Sequence, residues 1–167
     1  LESRYVPVQV NFPDFLVAFA MVKKACAIAN GKVGSLPAQL VGPICTACDE
    51  IVGGALHAEF LVDMVQGGAG TSTNMNANEV IANRALELLG REKGSYEHCH
   101  PNDHVNKSQS TNDAYPTACK LAILLKQRAL CEEMEALVAS LRRKGREFAG
   151  VLKMGRTQLQ DAVPMTL

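Results

Sequence analysis

Residues 108–125, "SQSTNDAYPTACKLAILL", place a cluster of small polar residues directly before an apolar segment. The cluster contains Ser108, Ser110, Thr111, Asn112 and Asp113. Such side chains accept hydrogen bonds from the free N–H groups of a first helical turn, so the pattern predicts that a helix begins here. Because one or two of them would suffice as caps, the surplus indicates hydrogen-bond donors for a ligand. A helix N-terminus favours negative charge, so we expect this ligand to be an anion.

The helix that follows is predicted to be long and to lack partners within this chain. It extends from Asn112 almost to Gly150, and a shift in the phase of its apolar stripe predicts two helices or one broken helix near residues 127–131. A helix of this length with so few aromatic residues needs an apolar surface to cover it. We therefore expect another part of the protein, or other subunits, to pack against it.

The composition favours packed helices and argues against two classes of partner. Hydrophobic residues make up 47% of the 167 residues and aromatic residues only 5%, so the interior is built mainly from aliphatic side chains. This length suits one domain with a substantial core. Lys plus Arg equals Asp plus Glu at 17 each, which argues against the broad basic surface of a nucleic-acid-binding or membrane-surface protein. We expect neither nucleic acid nor a membrane as partner.

Cysteine usage and the first residues predict a cytoplasmic location. The six cysteines follow no regular disulfide framework, and the first segment has no signal-peptide features. The sequence begins at Leu1 and ends at Leu167, and we expect both ends to be cuts in a longer chain. The apolar run "FLVAFAMV" (residues 15–22) is too short to span a membrane and precedes Lys23 and Lys24, which predicts the buried part of a helix.

Hydrophobic periodicity and turn residues predict further elements before the long helix. In chain order they are a helix capped by Asp14 and ending near Asn30, a helix over 37–52 that Pro43 bends or starts, an extended segment over 60–65, a loop over 66–76, a helix over 78–89 and a loop over 91–109. In the first of these helices the apolar face is predicted at Phe15, Ala18, Phe19, Val22, Cys26 and Ala29.

The stretch "GGAGTSTN" (residues 67–74) has the glycine density of a phosphate-binding loop. No Lys follows its last glycine, as a nucleotide-binding loop requires, and the third glycine of the dinucleotide-binding pattern is missing. What remains is a tight turn lined by hydroxyl groups. Near the end of the chain stand Arg156, Thr157, Gln158 and Gln160. Together with residues 108–113, these segments offer mainly neutral hydrogen-bond donors, which suit a small dicarboxylate or an anionic transition state.

Two groups of residues raise the question of a metal or redox site. Cys45 and Cys48 form C-x-x-C, but they lie in a helical pattern without a second such pair, so packing is favoured over redox or metal chemistry. The second group comprises His98, Cys99, His100 and His104. Its spacing matches no common zinc module, and alternating side chains of a loop point in different directions, so we predict no metal site.

Three stretches, in this order and spacing, resemble the aspartase/fumarase superfamily, and within it the aspartase branch. They are "GGAGTSTNMNANEV" (67–80), "HPNDHVNKSQSTND" (100–113) and "KMGRTQLQDAVPMTL" (153–167). The similarity extends from about Phe12 to the end of the chain. Fumarases share this layout but more typically have Ser-Ser-Asn-Asp at positions 110–113 and His at position 158, where this chain has Ser-Thr-Asn-Asp and Gln158.

The resemblance implies an all-α fold, in which a mainly helical N-terminal domain (here 1–109) precedes the first long helices of a central helix bundle (here 110–167). It implies a cytoplasmic homotetramer with active sites shared between subunits. The implied activity is that of an ammonia-lyase, which reversibly converts L-aspartate into fumarate and ammonia through an enediolate-like intermediate. The base that removes the C3 proton is a serine on a later loop, so no catalytic base is expected within these residues. No cofactor is required, and activation by a divalent cation such as Mg²⁺ is left open.

The resemblance also assigns substrate-binding roles to individual positions. Ser110 and Thr111 match residues that bind the side-chain carboxylate and its enediolate form. Thr71 matches a residue that contacts this carboxylate and the amino group. Asn112 matches a residue near the amino group, and Thr157 matches one that binds the α-carboxylate.

Two positions and two alternative functions stay open at this stage. Gln158 belongs to the same substrate-binding set but replaces a His of fumarases and of some aspartases, so a titrating role is not assigned to it. His100 matches a His that in fumarases belongs to a second, outer carboxylate site. The alternatives to an ammonia-lyase are a fumarate hydratase of the same superfamily, acting on malate and fumarate, and a catalytically silent helical assembly protein.

Overall fold

A computed structural model describes residues 12–66 and 68–166, so Gly67 of the predicted glycine-rich turn lies outside the described residues. The helices are α1 (Pro13–Lys32), α2 (Ala38–Val52), α3 (Thr71–Leu88) and α4 (Thr111–Glu147), and the strands are β1 (Lys153–Thr157) and β2 (Gln160–Met165). The mainly helical fold predicted from the sequence is confirmed, with one small hairpin added. The chain divides into two compact units, Leu1–Leu125 and Lys126–Leu167, whereas the domain division at 109/110 stays a prediction.

Helix α1 begins two residues earlier than predicted and in a different way. Its N-cap is Phe12, whose side chain makes no capping hydrogen bond, and Pro13 is the first helical residue. Proline suits this position because its φ is already helical and its missing N–H would have no partner there. The prediction that Asp14 caps the helix is therefore wrong. Asp14 lies in the first turn, where its negative charge is favoured by the helix dipole.

The first unit is built around the packing of α1, α2 and α3. Its fully buried apolar side chains include Leu16, Phe19, Ile44, Ile51, Ile81 and Leu86. Helices α1 and α2 approach so closely at Gly31 that a Cβ there would lie 2.6 Å from Cγ2 of Val41. The Phe15 ring lies 5.3 Å from the Tyr115 ring, edge to face, which fixes the first turns of α4 against α1. The start of α4 is thus part of the core of this unit.

The buried face of α1 is rotated from the predicted one. Phe15, Ala18 and Phe19 are buried as predicted, but Val22 and Cys26 are only half-buried and Ala29 is exposed. The positions buried in the second half of the helix are Lys23, Ala27 and Asn30. A pattern built from apolar residues cannot include Lys23 and Asn30, because both are buried for their hydrogen bonds.

The segment predicted as a loop over 66–76 is helical from Thr71 onward, so the predicted start of α3 at residue 78 is wrong. Its polar residues are buried rather than solvated: Thr73 and Asn74 are at most 1% exposed. Gln66 satisfies Thr73 twice, by donating from Nε2 to Oγ1 at 2.6 Å and by accepting from the backbone N–H at 3.1 Å. Polar residues and glycines in this segment indicated a loop from the sequence. The polar residues fit a buried helix because hydrogen-bond partners outside the helix satisfy them.

Two other segments depart from the predicted elements. Residues 60–65 form no strand of the described sheet, and Phe60 instead buries its ring in the core. Within the predicted loop over 91–109, Pro101–Val105 form a single π-helical turn. Helix α2 begins at Ala38 with Pro43 inside it, so this proline does not mark its first turn.

In the second unit, α4 continues without a break to Glu147, so the predicted interruption near residues 127–131 is wrong. The shift of its apolar stripe needs no break, because a straight helix can present successive apolar patches on different faces. These patches are exposed in this chain, with Leu130 at 63%, Met134 at 56% and Leu141 at 63%. Strands β1 and β2 then form an antiparallel hairpin in which Thr157 pairs with Gln160. No helix in the described ranges is long and apolar enough to cross a membrane.

Candidate functional site

The N-terminal ends of α3 and α4 meet in the first unit. Gly70, the N-cap of α3, has a φ of 87°, and a Cβ at this position would lie 2.4 Å from Cδ2 of Tyr115 in α4. A few residues on, Asn74 of α3 donates a hydrogen bond from Nδ2 to Oγ1 of Thr111, the first residue of α4. Because helix N-termini carry partial positive charge, two such ends at one place favour an anion.

Ser110 supplies the helix cap that the sequence predicted for this stretch. The backbone N–H of Asn112 donates to Ser110 Oγ at 3.2 Å, and the carbonyl of Ser110 accepts the N–H groups of Asp113 and Ala114. A hydroxyl that accepts one bond still carries a proton to donate. Ser110 is exposed, so it can donate this proton to a ligand while it caps α4.

Three of the other predicted residues lie beside Ser110 or at the start of α3. Thr111 is half-buried and accepts from Asn74 at 3.0 Å, which leaves its own hydroxyl proton free to donate. Asn112 is exposed and lines a cleft of about 590 Å³ together with residues 68–70, Tyr115 and Pro116. Thr71 is the exposed first residue of α3, directly after Gly70. The structure therefore brings Thr71, Ser110, Thr111 and Asn112 to two helix starts that are in contact.

Sequence reasoning missed Lys23, whose side chain lies beneath this region. Its Nζ is fully buried and donates to three amide oxygens: Asn74 Oδ1 at 2.7 Å, Asn106 Oδ1 at 3.0 Å and Gln109 Oε1 at 2.9 Å. Asn74 in turn contacts Thr111, so the lysine is two hydrogen bonds from a predicted site residue. The one signal in the sequence for a buried Lys23 was its spacing. It lies seven residues after Leu16 and seven before Asn30, so all three fall on one face of a helix, and the structure buries this face.

Burial lowers the pKa of Lys23 to about 8, although the thiols of Cys26 and Cys48 act in the opposite direction. The ammonium group thus stays charged at neutral pH, and the three acceptors on it are neutral. An ammonium that is hydrogen-bonded only to amide oxygens keeps its net positive charge within the protein, where the low dielectric strengthens its effect on nearby groups. This charge adds to the positive ends of the two helices.

Helix α1 also holds the loop that precedes α4. Lys23 binds Asn106 and Gln109 in this loop, and Asn30, two turns further along α1, donates to the carbonyl of Lys107 at 2.8 Å. Ser108 has a φ of 59°, so the chain turns sharply just before Ser110. These contacts fix where α4 begins, and hence where Ser110 and Thr111 lie.

Thr157 and Gln158 belong to the second unit. Thr157 ends β1, and Gln158 is the first of two residues in the turn to β2. Both side chains are exposed, and Gln158 has a φ of 53°, which a residue other than glycine adopts at some cost. The hairpin thus presents two of the predicted residues at its tip, and their substrate-binding role stays a prediction.

His100 caps the π-helical turn. Its Nδ1 accepts from the backbone N–H groups of Asn102 at 3.1 Å and Asp103 at 3.2 Å. The Asp103 carboxylate also lies 3.5 Å from this nitrogen, which would be an ion pair only with a protonated ring. We assign Nδ1 as an acceptor because two N–H groups point at it, so Nε2 carries the proton. His104 Nδ1 accepts from the His100 backbone at 2.8 Å, and burial lowers the pKa of His104.

The cysteines and histidines singled out in the sequence do not form a metal site in the described part of the chain. No three His, Cys, Asp or Glu side chains converge there in a way that could hold a metal ion. Cys48 is fully buried in the core, where burial raises the pKa of its thiol to about 12. Cys45 is half-buried, and burial raises its pKa as well. Both are thiols at neutral pH, in agreement with the predicted packing role.

Residues 4–167 match the Lyase_1 family of lyases, and the chain therefore belongs to this family. It is 60% identical over 157 residues to an aspartate ammonia-lyase of Helicobacter pylori, an alignment that covers 94% of this chain and 34% of that protein. Its structure is similar to that of a fumarate lyase:delta crystallin from Brucella melitensis, with a TM-score of 0.82, 56% identity, and coverage of 100% of this chain and 37% of the other.

A class II fumarase from Schistosoma mansoni is similar to a lesser degree, with a TM-score of 0.78, 36% identity, and coverage of 100% of this chain and 38% of the other. The chain thus spans about a third of the length of these relatives. The resemblance inferred from the sequence is confirmed at the level of the family.

Proposed function

We propose that this chain is part of an aspartate ammonia-lyase and that its first unit holds the side-chain carboxylate of L-aspartate. The observation that carries the proposal is the meeting of two helix N-termini at Thr111 and Gly70, above the buried ammonium of Lys23. Support for the substrate comes from relatives of that name, which share more residues with this chain than the fumarase does.

The proposed reaction is the reversible conversion of L-aspartate into fumarate and ammonia. A base removes the proton from C3, and the electron pair of the broken C–H bond moves into the adjacent carboxylate, which becomes an enediolate with a second negative charge. This pair then forms the C2–C3 double bond, and ammonia leaves from C2. Donors aimed at the growing charge lower the barrier because they bind the intermediate more strongly than they bind aspartate.

Within this scheme, Ser110 and Thr111 donate their hydroxyl protons to the carboxylate that becomes the enediolate. Thr71 contacts the same carboxylate and the amino group, and Asn112 lies near the amino group. Thr157 binds the α-carboxylate, and Gln158 lies beside it without titrating. We assign the base to the part of the relatives that this chain does not cover, and His100 to a second, outer carboxylate site.

We further propose a cytoplasmic homotetramer whose active sites combine segments of several subunits. The exposed apolar side chains of α4 support this proposal, because they need an apolar partner. No cofactor is proposed. Activation by a divalent cation such as Mg²⁺ stays a prediction, and the scheme includes no step at a metal ion.

The test is an assay of the full-length protein that contains this chain. Purified protein is incubated separately with L-aspartate and with L-malate, and fumarate is followed by its ultraviolet absorbance. We expect fumarate from aspartate and not from malate. Fumarate from malate alone would show a fumarate hydratase, and no product from either substrate would indicate a silent assembly protein.

The isolated 167-residue chain serves as a second sample in this assay. We expect it to produce no fumarate from aspartate above a heat-killed control, because the proposed base lies outside it. Activity of the isolated chain would contradict the proposed location of the base.

A further inference from the structure

We propose that Lys23 is a positioning residue for the lyase reaction, acting through Asn74 to make the Thr111 hydroxyl a donor toward the substrate carboxylate. This inference rests on the proposed function. The geometry is a chain of two hydrogen bonds, from Lys23 Nζ to Asn74 Oδ1 at 2.7 Å and from Asn74 Nδ2 to Thr111 Oγ1 at 3.0 Å. We call this chain the Lys23 relay.

The direction of every bond in the Lys23 relay is fixed by the chemistry of its first member. An ammonium group has three protons and no acceptor, so the amide of Asn74 must turn its oxygen toward Lys23. The Asn74 nitrogen then necessarily faces the other way, toward Asn106 Oδ1 at 3.2 Å and Thr111 Oγ1 at 3.0 Å. Thr111 Oγ1 therefore accepts a hydrogen bond from Asn74, and the Thr111 hydroxyl proton is left to donate to another partner.

The surroundings of Lys23 hold the relay in this orientation. Its other two protons go to Asn106 and Gln109, which belong to the loop directly before α4. Lys23 and Asn74 are at most 1% exposed, so water cannot readily replace either bond. Bonds in a buried chain polarise one another, and the charge at one end strengthens the donor at the other.

A structural alternative is that Lys23 and Asn74 only hold the loop and α4 in place. The two interpretations differ for Asn74→Asp. A carboxylate at position 74 still accepts from Lys23, now as an ion pair. Asn106 loses the bond from position 74 but keeps its bond from Lys23, so we expect the fold to be kept. It has no proton for Thr111, however, so the Thr111 hydroxyl turns inward to donate to it. The same carboxylate neutralises the charge of Lys23.

The experiment measures kcat, KM and thermal unfolding of the full-length protein with Asn74→Asp. For a relay that acts on the developing charge, we expect kcat to fall by about 100- to 1,000-fold, with a smaller change in KM and an unfolding temperature close to the parent. Asn76→Asp is the matched control, because it adds the same charge to α3 at a residue whose partners are Glu59 and Val62. We expect its kcat to stay within about three-fold of the parent.

A double-mutant cycle with Thr111→Val separates the relay from a general effect of charge. Once the Thr111 hydroxyl is removed, we expect Asn74→Asp to lower kcat by no more than about three-fold further. A full loss in both backgrounds would overturn the role of Thr111 as the end of the relay. Parental kcat for Asn74→Asp in the wild-type background would overturn the proposal altogether.

Two measurements keep this outcome distinct from failure of the proposed function. If the parent protein acts on malate and not on aspartate, the same double-mutant cycle is measured with malate as the substrate. If the parent protein converts neither aspartate nor malate, the test is the binding of succinate, an unreactive dicarboxylate, measured by calorimetry. We expect Asn74→Asp to weaken succinate binding by about ten-fold or more, because a charge-assisted donor is lost. Equal affinity, or no binding to the parent, would overturn the inference.

Discussion

Gly70 lies so close to the Tyr115 ring that a side chain at position 70 would overlap the ring. A Cβ on Gly70 would lie 2.4 Å from Cδ2 and 2.5 Å from Cε2 of the Tyr115 ring. The Tyr115 ring in turn packs edge to face on Phe15 and Phe19, so it cannot move aside without disturbing the core. This contact brings the start of α3 against the start of α4.

Gly70→Ala should therefore destabilise the protein and reduce its activity. Overlap with a fixed ring typically costs about 1–3 kcal/mol, and the positive φ adds about 1 kcal/mol or more. We expect the thermal unfolding temperature of the full-length protein to fall by several degrees, with a loss of turnover because the two helix starts are pushed apart. Gly34→Ala is the control, since Gly34 has a φ of 75° but nothing within 4 Å of its Cβ position. Equal effects of the two substitutions would mean that the contact with Tyr115 is unimportant.

Ser110 and Thr111 are expected to respond differently to the loss of their hydroxyl groups. Thr111→Ala removes a proposed donor and also the acceptor of a buried Asn74 N–H, so turnover should fall by about 100- to 1,000-fold and about 1–3 kcal/mol of stability should be lost. Ser110→Ala removes a donor and the cap on Asn112, so it should also cost about 1 kcal/mol of stability. Steady-state kinetics and circular dichroism of the full-length variants measure both effects.

Two conservative variants serve as controls for this pair. Thr111→Ser keeps the hydroxyl and should retain most of the turnover. Ser110→Asn keeps a capping side chain and should restore stability without restoring turnover. Nearly parental turnover of a folded Thr111→Ala protein would return this stretch to a purely structural role.

Gln158→His should add a titration to the pH–rate profile, if the tip of the hairpin faces the reacting groups. Glutamine does not titrate, whereas an introduced imidazole changes charge between about pH 5 and 8. We expect a new or shifted limb of kcat/KM in this range. Leu159→His is the matched control, because Leu159 is the next residue of the same turn and is 96% exposed. Profiles that superimpose for the parent and Gln158→His would place position 158 away from the chemistry.

Lys23 should make stability depend on pH in a defined direction. Burial lowers the pKa of its ammonium from 10.5 to about 8, so the folded protein releases this proton more readily than the unfolded chain. The contribution of Lys23 to the stability of the folded protein is therefore fully present above pH 10.5, the pKa in the unfolded chain. This contribution is lost as the pH falls through about 8, the pKa in the folded protein. Compared with Lys23→Met, the parent should gain about 2 kcal/mol between about pH 7 and pH 9.5, since one pKa unit corresponds to about 1.4 kcal/mol.

The measurement is chemical unfolding of the parent and of Lys23→Met at both pH values. Because other groups titrate in this range in both proteins, only the difference between the two curves is used. A difference that does not change with pH would show that the Lys23 pKa is close to its ordinary value.

Several features were predictable because they depend on neighbours along the chain. The start of α4 was predicted within one residue, since a cap and the apolar run that follows it are adjacent in sequence. The four site residues at the two helix starts were singled out from motifs in which hydroxyl and amide groups lie close together. The family followed from three such motifs, whose order and spacing are themselves properties of the sequence.

Other features were not predictable because their partners are distant in sequence. Lys23 was treated as a charged flank of an apolar run, yet its acceptors Asn74, Asn106 and Gln109 lie 51, 83 and 86 residues away. The start of α3 was also missed, because polar residues such as the buried Asn74 give its first turn the composition of a loop. Helix propensity is local, and these residues are helical because tertiary hydrogen bonds stabilise them.

The sequence by itself determined that this chain forms helices, that one of them begins at a cluster of small polar residues, and that neutral donors gather there. These properties follow from side-chain chemistry and short-range spacing. Only the tertiary structure decided that the start of α3 lies against Tyr115 and that a buried ammonium stands behind Thr111. Burial of a charge requires all its hydrogen-bond partners at once, and these partners meet only when α1, α3 and the loop before α4 have packed together.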